Sequence, residues 1–169
     1  MDPRKQSMAP AGARRPLLLL LGSLPGEASL RAQRYYAHPQ NQFWRLLGAA
    51  LGEPLAELDY DQRLARLAVR QVGLWDVVGA AKRRGSLDGA LRDLSVNPLA
   101  EFAAQQPQLR AIGFNGQTAA RLGRRALDPG AVTLVDLPSS SPAYTLAVAD
   151  KALRWSVLAK FAQPATLSA

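Results

Sequence analysis

A short stretch near the start of the chain concentrates side chains that could bind a flat heterocycle. Residues 35–44 read YYAHPQNQFW. The aromatic, imidazole and carboxamide groups of this stretch belong to Tyr35, Tyr36, His38, Asn41, Phe43 and Trp44. Aromatic faces stack on planar groups, and a carboxamide both donates and accepts hydrogen bonds. The composition is too polar for a core and too aromatic for a linker, so it predicts the wall of a pocket for a planar ligand.

Three further loops, each following an apolar run, could complete this pocket. The leucines at residues 17–21 stop at GSLPG, residues 22–26, where glycine permits positive φ and close approach of another molecule. A second run ends in FNG at residues 114–116, and a third in PSSSP at residues 138–142. Ordinary turns are the alternative for the first two loops. If the runs are parallel strands, however, all three loops leave the sheet at the rim where ligands bind.

The residue types in these loops argue against several classes of chemistry. The chain has no cysteine and one histidine, so nucleophilic catalysis and a zinc site are poorly supported. No G-x-x-x-x-G-K-[S/T] phosphate-binding loop is present. Glu27 is the one carboxylate in the candidate loops, so paired carboxylates are not expected. A neutral, hydrogen-bonding pocket with aromatic walls suits a nucleobase swung out of a nucleic acid.

The net charge points to the same kind of partner. The 169 residues include 21 Lys and Arg against 13 Asp and Glu, a net charge of +8, which favours a polyanion such as nucleic acid. Arginine-rich solvated faces are the alternative explanation, and Arg63, Arg66 and Arg70 are expected to form one. The basic turn at residues 82–84 is predicted to precede a helix that starts near Ser86, so it is a candidate phosphate contact.

Hydrophobic patterning and breakers predict an α/β framework for these loops. Apolar runs predict strands at residues 17–21, 69–78, 109–114 and 131–137. Caps, breakers and three- and four-residue spacing predict helices at residues 42–51, from 59, from about 86, from 97 to about 106, at 117–127 and at about 144–161. Strands separated by helices form a parallel sheet with helices on both faces. The expected fold is α/β, a three-layer αβα arrangement around a central, mostly parallel four-stranded sheet.

The chain is long enough for one domain with its own core. Residues 16–163 are predicted to form that domain, with a flexible tail at residues 1–15 and a second tail at residues 164–169. The apolar run at residues 17–21 is too short to span a bilayer, and no small-residue cleavage pattern follows it. We therefore expect a cytoplasmic protein without a membrane segment.

Three of these segments together resemble the motifs of a known family. The segments GSLPG at residues 22–26, YAHPQNQFW at 36–44 and LPSSSP at 137–142 are similar to motifs of the uracil-DNA glycosylase superfamily. The similarity runs from about residue 17 to about residue 161. Within the superfamily, the chain most resembles the hypoxanthine-DNA (deoxyinosine) glycosylase branch, which is similar to the mismatch-specific uracil and thymine glycosylases.

The resemblance implies a monofunctional DNA repair glycosylase that flips deaminated bases out of DNA and hydrolyses the N-glycosidic bond. Hypoxanthine is the first expected substrate, with xanthine and uracil as further candidates. Damaged DNA is the implied partner, and we expect a monomer that needs neither a metal nor an organic cofactor. A mismatch-specific uracil or thymine glycosylase and a non-catalytic DNA-binding relative stay open as alternatives.

The resemblance assigns the catalytic role to Asn41, the asparagine of the H-P-x-N segment. An asparagine is not a general base, but its carbonyl oxygen can orient a water and its dipole can stabilise charge. Asn41 could equally cap the helix that includes Phe43, and both roles are compatible. His38 is expected either to stabilise the loop or to contact the base or its phosphate. Leu24 stands where the uracil and thymine mismatch enzymes have an asparagine, which argues against efficient uracil removal.

The other candidate residues form two groups. The predicted base pocket comprises Gly22, Ser23, Leu24, Pro25, Gly26, Tyr36, His38, Phe43 and Asn115. The predicted DNA-binding residues are Pro138, Ser139, Ser140, Ser141, Pro142, Ala143, Tyr144, Lys82, Arg83 and Arg84. Backbone N–H groups of the serines, at the start of the last helix, are expected to bind phosphates, and residues 142–144 to fill the gap left by the extruded base. No lysine lies in the pocket loops, so no lyase activity is expected.

Overall fold

The computed structural model describes residues 3–128 and 130–165. Its strands are β1 (Arg4–Gln6), β2 (Ala11–Gly12), β3 (Leu18–Gly22), β4 (Val72–Asp76), β5 (Val78–Lys82), β6 (Arg92–Val96), β7 (Ala111–Asn115) and β8 (Thr133–Leu137). Its α-helices are α1 (Glu27–Ala32), α2 (Phe43–Leu51), α3 (Tyr60–Val69), α4 (Leu99–Ala104), α5 (Gln117–Ala126) and α6 (Val148–Trp155). None of these helices is long and apolar enough to cross a membrane.

The main sheet has the order β2-β4-β3-β7-β8. Strands β4, β3, β7 and β8 are mutually parallel, whereas the short edge strand β2 runs antiparallel to β4. All of β3 is buried because Leu18 and Leu20 pack under α2, α3 and α6, and Leu19 and Leu21 pack under α4 and α5. The predicted three-layer α/β fold with four parallel strands is confirmed, and the fifth strand is an addition to it.

The N-terminal segment, which was expected to be a flexible tail, contains two short paired strands. Strand β1 pairs with β5, and β2 pairs with β4. The indole N–H of Trp75 and the hydroxyl of Tyr35 donate to the backbone carbonyl of Met8. These residues are mostly polar and form very short strands, so their sequence carries no strand periodicity. Residues 1–2 and 166–169 lie outside the described part of the chain.

The predicted strand at residues 69–78 is wrong in its limits. Helix α3 continues to Val69, β4 occupies only the middle of the predicted range, and Val78 begins β5. Strand β5 belongs to a second, antiparallel sheet of order β1-β5-β6. The helix predicted from Ser86 is also absent from the described residues at that place, where a 3₁₀ turn over Asp88–Ala90 leads into β6. Both partners of β5 are short and exposed, so hydrophobic patterning did not predict this sheet.

The last helix is shorter than predicted. Helix α6 begins at Val148, so residues 144–147 are not helical, and a 3₁₀ turn over Ser156–Lys160 follows it. Leu153 is 74% exposed, because the buried face of α6 is set by Lys151 and Trp155, four residues apart.

The predicted arginine face is also corrected at one position. Arg70 is buried rather than solvated, and it donates to the carbonyl oxygens of Leu51 and Gln163.

Substitution of Gly123 tests the packing that positions β7. A Cβ atom on Gly123 would lie 2.3 Å from Cε1 of Phe114, the residue that precedes Asn115. Gly123→Ala should therefore lower the free energy of unfolding by about 1–3 kcal/mol through overpacking, measured by urea denaturation. Gly89→Ala is the matched control, because its Cβ meets no atom within 4 Å. Equal stability of the two variants would contradict tight packing of α5 on β7.

Candidate functional site

Loops from the carboxyl ends of the parallel strands surround one cavity of about 570 Å³. This size is typical of small-molecule and cofactor sites. The predicted pocket residues that line it are Gly22, Ser23, Leu24, Pro25, Gly26, Tyr36, His38, Asn41 and Asn115. Ser139, Ser140, Ser141, Pro142, Ala143 and Tyr144 complete the lining on the side of the serine loop. The sequence-derived candidates are thus brought together at one rim of the sheet.

Ser140 links two asparagines from different loops. Its backbone N–H donates to Oδ1 of Asn115 over 2.9 Å, and its Oγ accepts from Nδ2 of Asn115 over 2.8 Å. The hydroxyl of Ser140 in turn donates to Oδ1 of Asn41 over 2.8 Å. The carbonyl oxygen of Ser140 accepts from the backbone N–H of Gln42 over 2.9 Å. These bonds fix the orientation of both carboxamides, because each oxygen is identified by the donor that it receives.

The same geometry determines which end of Asn41 can act on a ligand. Its Oδ1 also accepts the backbone N–H of Phe43 over 3.0 Å at the start of α2, so the predicted capping contact is present. With two donors on Oδ1, both lone pairs of this oxygen are occupied. The expectation that the carbonyl oxygen would orient a water is therefore not supported. The Nδ2 group of Asn41 is the end available to the cavity.

The aromatic wall of the cavity includes the ring of Tyr36, which is stacked on a second ring behind it. The rings of Tyr36 and Phe43 are 3.7 Å apart between centroids, with an interplanar angle of 8°. Phe43 is fully buried and does not line the cavity. It was predicted to belong to the base pocket, but its ring instead supports that of Tyr36 from behind. The hydroxyl of Tyr36 is buried and makes no hydrogen bond of normal geometry with the described residues, although the nearby side chain of Asn115 partly offsets the rise in its pKa. Burial, reinforced by the charge of Asp76, raises the pKa of Tyr36, so this hydroxyl stays neutral.

His38 lines the mouth of the cavity. Its Nδ1 accepts the backbone N–H of Gln40 over 3.1 Å, so this nitrogen is unprotonated in the neutral ring and Nε2 carries the hydrogen. The ring is exposed. The bond to Gln40 agrees with the loop-stabilising role, and it leaves Nε2 free to donate to a ligand.

Two carboxyl groups that sequence reasoning missed also line the cavity. Asp76 ends β4, and Asp88 accepts a hydrogen bond from the hydroxyl of Ser23. The expectation that Glu27 would be the one carboxylate here is wrong. The predicted strand ran past residue 76, which hid the position of Asp76 at the rim of the sheet. Burial raises the pKa of Asp76 to about 7, and it also raises the pKa of Asp88.

Within the basic turn at residues 82–84, Arg83 differs from the prediction. Arg83 is fully buried, and its guanidinium donates to the backbone carbonyls of Leu24, Pro25 and Gly85. It therefore holds the glycine loop and cannot contact DNA in this conformation. Lys82 is partly exposed and pairs with Asp93 at 3.3 Å, and Arg84 is exposed. Burial lowers the pKa of Arg83, opposed by the charge of Asp88.

The serine loop is not the start of the last helix, which begins later at Val148. The backbone N–H groups of Ser140 and Ser141 donate to Asn115 and to Oγ of Ser139, so neither is free for a phosphate. Ser140 is itself buried. The ammonium group of Lys151, also buried, donates to Oε1 of Gln42 and to the carbonyl of Ser141 and thereby fixes this loop.

The end of the serine loop presents exposed apolar groups at the cavity mouth. Pro142 and Ala143 are exposed, and Tyr144 is 47% exposed. Nζ of Lys151 lies 5.3 Å from the centroid of the Tyr144 ring, a cation–π distance. Pro138 does not line the cavity, but its carbonyl accepts the indole N–H of Trp155.

In the described part of the chain, no group of three or more His, Cys, Asp or Glu side chains could hold a metal ion.

Comparisons with known proteins agree with this geometry. The model of the family described as the uracil DNA glycosylase superfamily matches residues 9–162. A protein named hypoxanthine DNA glycosylase from Methanosarcina acetivorans is 43% identical over 126 residues, which are 75% of this chain and 79% of that protein. A protein of the same name from Methanosarcina barkeri is 41% identical over 114 residues, 68% of this chain and 72% of that protein.

A solved structure agrees as well. The solution NMR structure of a candidate uracil DNA glycosylase from Methanosarcina acetivorans superposes with a TM-score of 0.83 at 34% sequence identity. The match covers 94% of this chain and 98% of that chain. The family resemblance of the three sequence motifs is thereby confirmed.

Removal of the Ser140 hydroxyl tests the link between the asparagines. Ser140→Ala leaves the buried Nδ2 of Asn115 without its acceptor, so we expect a loss of about 1–3 kcal/mol in the free energy of unfolding. Ser141→Ala is the control, because its Oγ accepts the exposed N–H of Ala143, and it should lose at most about 1 kcal/mol. Urea denaturation compares the two variants. If both lose the same amount, the network does not hold the loops together.

Proposed function

Because this chain belongs to the uracil DNA glycosylase superfamily, we propose that it is a monofunctional DNA glycosylase that excises deaminated bases, above all hypoxanthine. Two relatives at 41% and 43% identity carry the name hypoxanthine DNA glycosylase, and the chain spans most of each. We further propose that the protein acts as a monomer on damaged DNA in the cytoplasm, without a metal or organic cofactor. Its net charge of +8 favours association with the phosphate backbone.

The observation that carries the proposal is the pair of oriented carboxamides, Asn41 and Asn115, inside a cavity with an aromatic wall. A base within a duplex cannot reach such a cavity, so the nucleotide must be extruded. The ring of Tyr36, supported by Phe43, provides a face for stacking. The amide hydrogens of the asparagines then read the edge of the base.

The proposed chemistry is hydrolysis through an oxocarbenium-like transition state, in which the base leaves with the electrons of the glycosidic bond. Negative charge therefore builds up on the departing base. Because Oδ1 of Asn41 already accepts two hydrogen bonds, we propose that its Nδ2 donates to the base and stabilises this charge. The donor is held in place before the reaction, which avoids reorganisation as the charge develops.

Leu24 supports a preference for hypoxanthine over uracil. It stands where the uracil and thymine mismatch enzymes have an asparagine, and it is buried against Val78, Ala81 and Leu91. An apolar side chain at this position neither orients a water nor reads a pyrimidine edge. We therefore propose that uracil and thymine are released more slowly than hypoxanthine.

On the DNA side, the proposed contacts are the exposed groups at the cavity mouth. We propose that Tyr144, with Pro142 and Ala143, fills the gap left in the duplex, which the exposure of these residues at the cavity supports. Ser139, Ser141, Lys82 and Arg84 are proposed phosphate contacts, whereas Ser140 and Arg83 act on the pocket loops instead. No lysine is among the cavity-lining residues of the described chain, so we propose that an abasic site is left uncleaved.

A panel of duplexes tests the function directly. Duplexes that contain hypoxanthine, xanthine, uracil or a thymine mismatch are incubated with the protein, and the free base is measured by mass spectrometry. We expect the fastest release from the hypoxanthine duplex and an intact strand until alkali is added. Faster release of uracil or thymine would instead indicate a mismatch glycosylase. Binding without release of any base would indicate a non-catalytic DNA-binding protein.

Two substitutions of Asn41 test its role as a donor. Asn41→Ala removes the carboxamide, and Asn41→Asp keeps an oxygen for Phe43 and Ser140 but replaces the N–H donor with an acceptor. Both should slow single-turnover release of hypoxanthine by about 10²–10³-fold, with duplex affinity measured by fluorescence anisotropy as a check on binding. Near-normal activity of Asn41→Asp alone would favour an oxygen that orients water. Near-normal activity of both would remove Asn41 from catalysis.

A further inference from the structure

On the basis of the proposed glycosylase function, we infer that Asp76 is a second catalytic residue, whose carboxyl group is protonated in the resting enzyme and donates its proton to the leaving purine. The side chain lines the cavity at the carboxyl end of β4, a neighbour of the central strand. Neither the sequence motifs nor the stacking and carboxamide contacts described above involve this group.

The geometry places the carboxyl group at the wall of the cavity, next to the hydroxyl of Tyr36. In the sheet register, Asp76 is opposite Gly22. A Cβ atom on Gly22 would lie 2.8 Å from Oδ1 of Asp76 and 2.9 Å from the hydroxyl oxygen of Tyr36. Both oxygens therefore approach the backbone of Gly22 more closely than a side chain at this position would allow, and both residues line the cavity. An extruded base in the cavity would therefore meet the side chains of Asp76 and Tyr36 together.

The surroundings of Asp76 disfavour its ionised form. Asp76 is 3% exposed. Removal from water raises the free energy of a carboxylate more than that of a neutral acid. Ser7 donates to Oδ2 over 3.0 Å, and this bond partly offsets the penalty. The guanidinium of Arg83 donates to backbone carbonyls instead of this carboxyl group. Burial consequently raises the pKa of Asp76 to about 7, near the value that suits a general acid at neutral pH.

Other ionisable groups surround the same space. They are Asp88 and Arg83 from the segment between β5 and β6, Tyr35, Tyr36 and His38 from the loop before α2, Glu27 from α1 and Lys5 from β1. The charge of Asp88 raises the pKa of Asp76, and that of Arg83 lowers it. Lys5 and Glu27 pair with each other at 3.0 Å.

The proposed step balances as follows. The bond between C1′ of the sugar and N9 of the purine breaks, and its electron pair leaves with the base. The proton of the Asp76 carboxyl group moves to an acceptor nitrogen of the purine ring, of which N7 is one, so the base departs as a neutral molecule. The oxygen of a water bonds to C1′, and one proton of that water restores the carboxyl group. The sum is one water consumed, one base released and one sugar hemiacetal formed.

The pH dependence of single-turnover hypoxanthine release, between about pH 5.5 and pH 9, tests the step. Because the protonated acid is the active form, the wild-type rate should be constant at low pH and fall as the pH rises through about 7. Asp76→Asn cannot transfer a proton, so it should be about 10²–10⁴-fold slower at pH 6 and lose this alkaline decline. Circular dichroism and duplex binding of this variant establish that it is folded.

Two neighbouring substitutions should move the decline in opposite directions. Ser7→Ala removes a hydrogen bond that favours the carboxylate, so the decline should shift to higher pH. Asp88→Asn removes a like charge, so the decline should shift to lower pH. A purely structural role of Asp76 would produce neither shift. Loss of the decline in Asp88→Asn, with retention in Asp76→Asn, would make Asp88 the acid and overturn the inference.

The result separates this inference from the proposed function. If the wild type releases no hypoxanthine at any pH, the glycosylase function is wrong. If the wild type is active but Asp76→Asn keeps the wild-type rate and pH profile, the function stands and the role of Asp76 is wrong. Carbon-13 NMR titration of the Asp76 carboxyl group in the wild type is independent of activity. A carboxyl group that is ionised at pH 6 would contradict a protonated acid.

Discussion

The bonds of Ser140 to Asn41 and Asn115 are the interaction on which the site depends. They join the loop before α2, the end of β7 and the loop after β8, three segments that are far apart in the chain. A buried polar network is stable only when each of its members finds a partner. Here that requirement places both carboxamides at the cavity with their oxygens occupied. The amide hydrogens that make no bond within this network remain to bind a ligand, and the chemistry of the site follows from them.

The cations beneath the site serve the loops rather than acidic partners. Buried Arg83 donates to three backbone carbonyls around the glycine loop, and buried Lys151 donates to the carbonyl of the serine loop and to Gln42. Charge-assisted hydrogen bonds of this kind are stronger than neutral ones. They hold irregular backbone at the rim of the sheet, where no strand or helix satisfies its carbonyl groups.

Much of the fold and part of the site could be predicted from the sequence because both depend on local patterns. An unbroken leucine run marks a central parallel strand, and glycine, asparagine and proline after such runs mark the rim. The second sheet could not be predicted, because β1 and β6 are short and exposed. The buried state of Arg83 depends on the carbonyls of Leu24 and Pro25, far away in sequence, and a basic turn looks solvated without them. The position of Asp76 at the rim could not be predicted, because the valines that follow it extended the predicted strand beyond the rim.

The site depends in part on an N-terminal segment that lies outside the region matched by the family model. The superfamily match begins at residue 9, after β1 and after Ser7, whose hydroxyl donates to Asp76. A protein trimmed to the matched region would lack β1, which pairs with β5, and would also lack Ser7. Such a trimmed protein would keep every family motif and yet lack the hydroxyl that donates to the carboxyl group of Asp76.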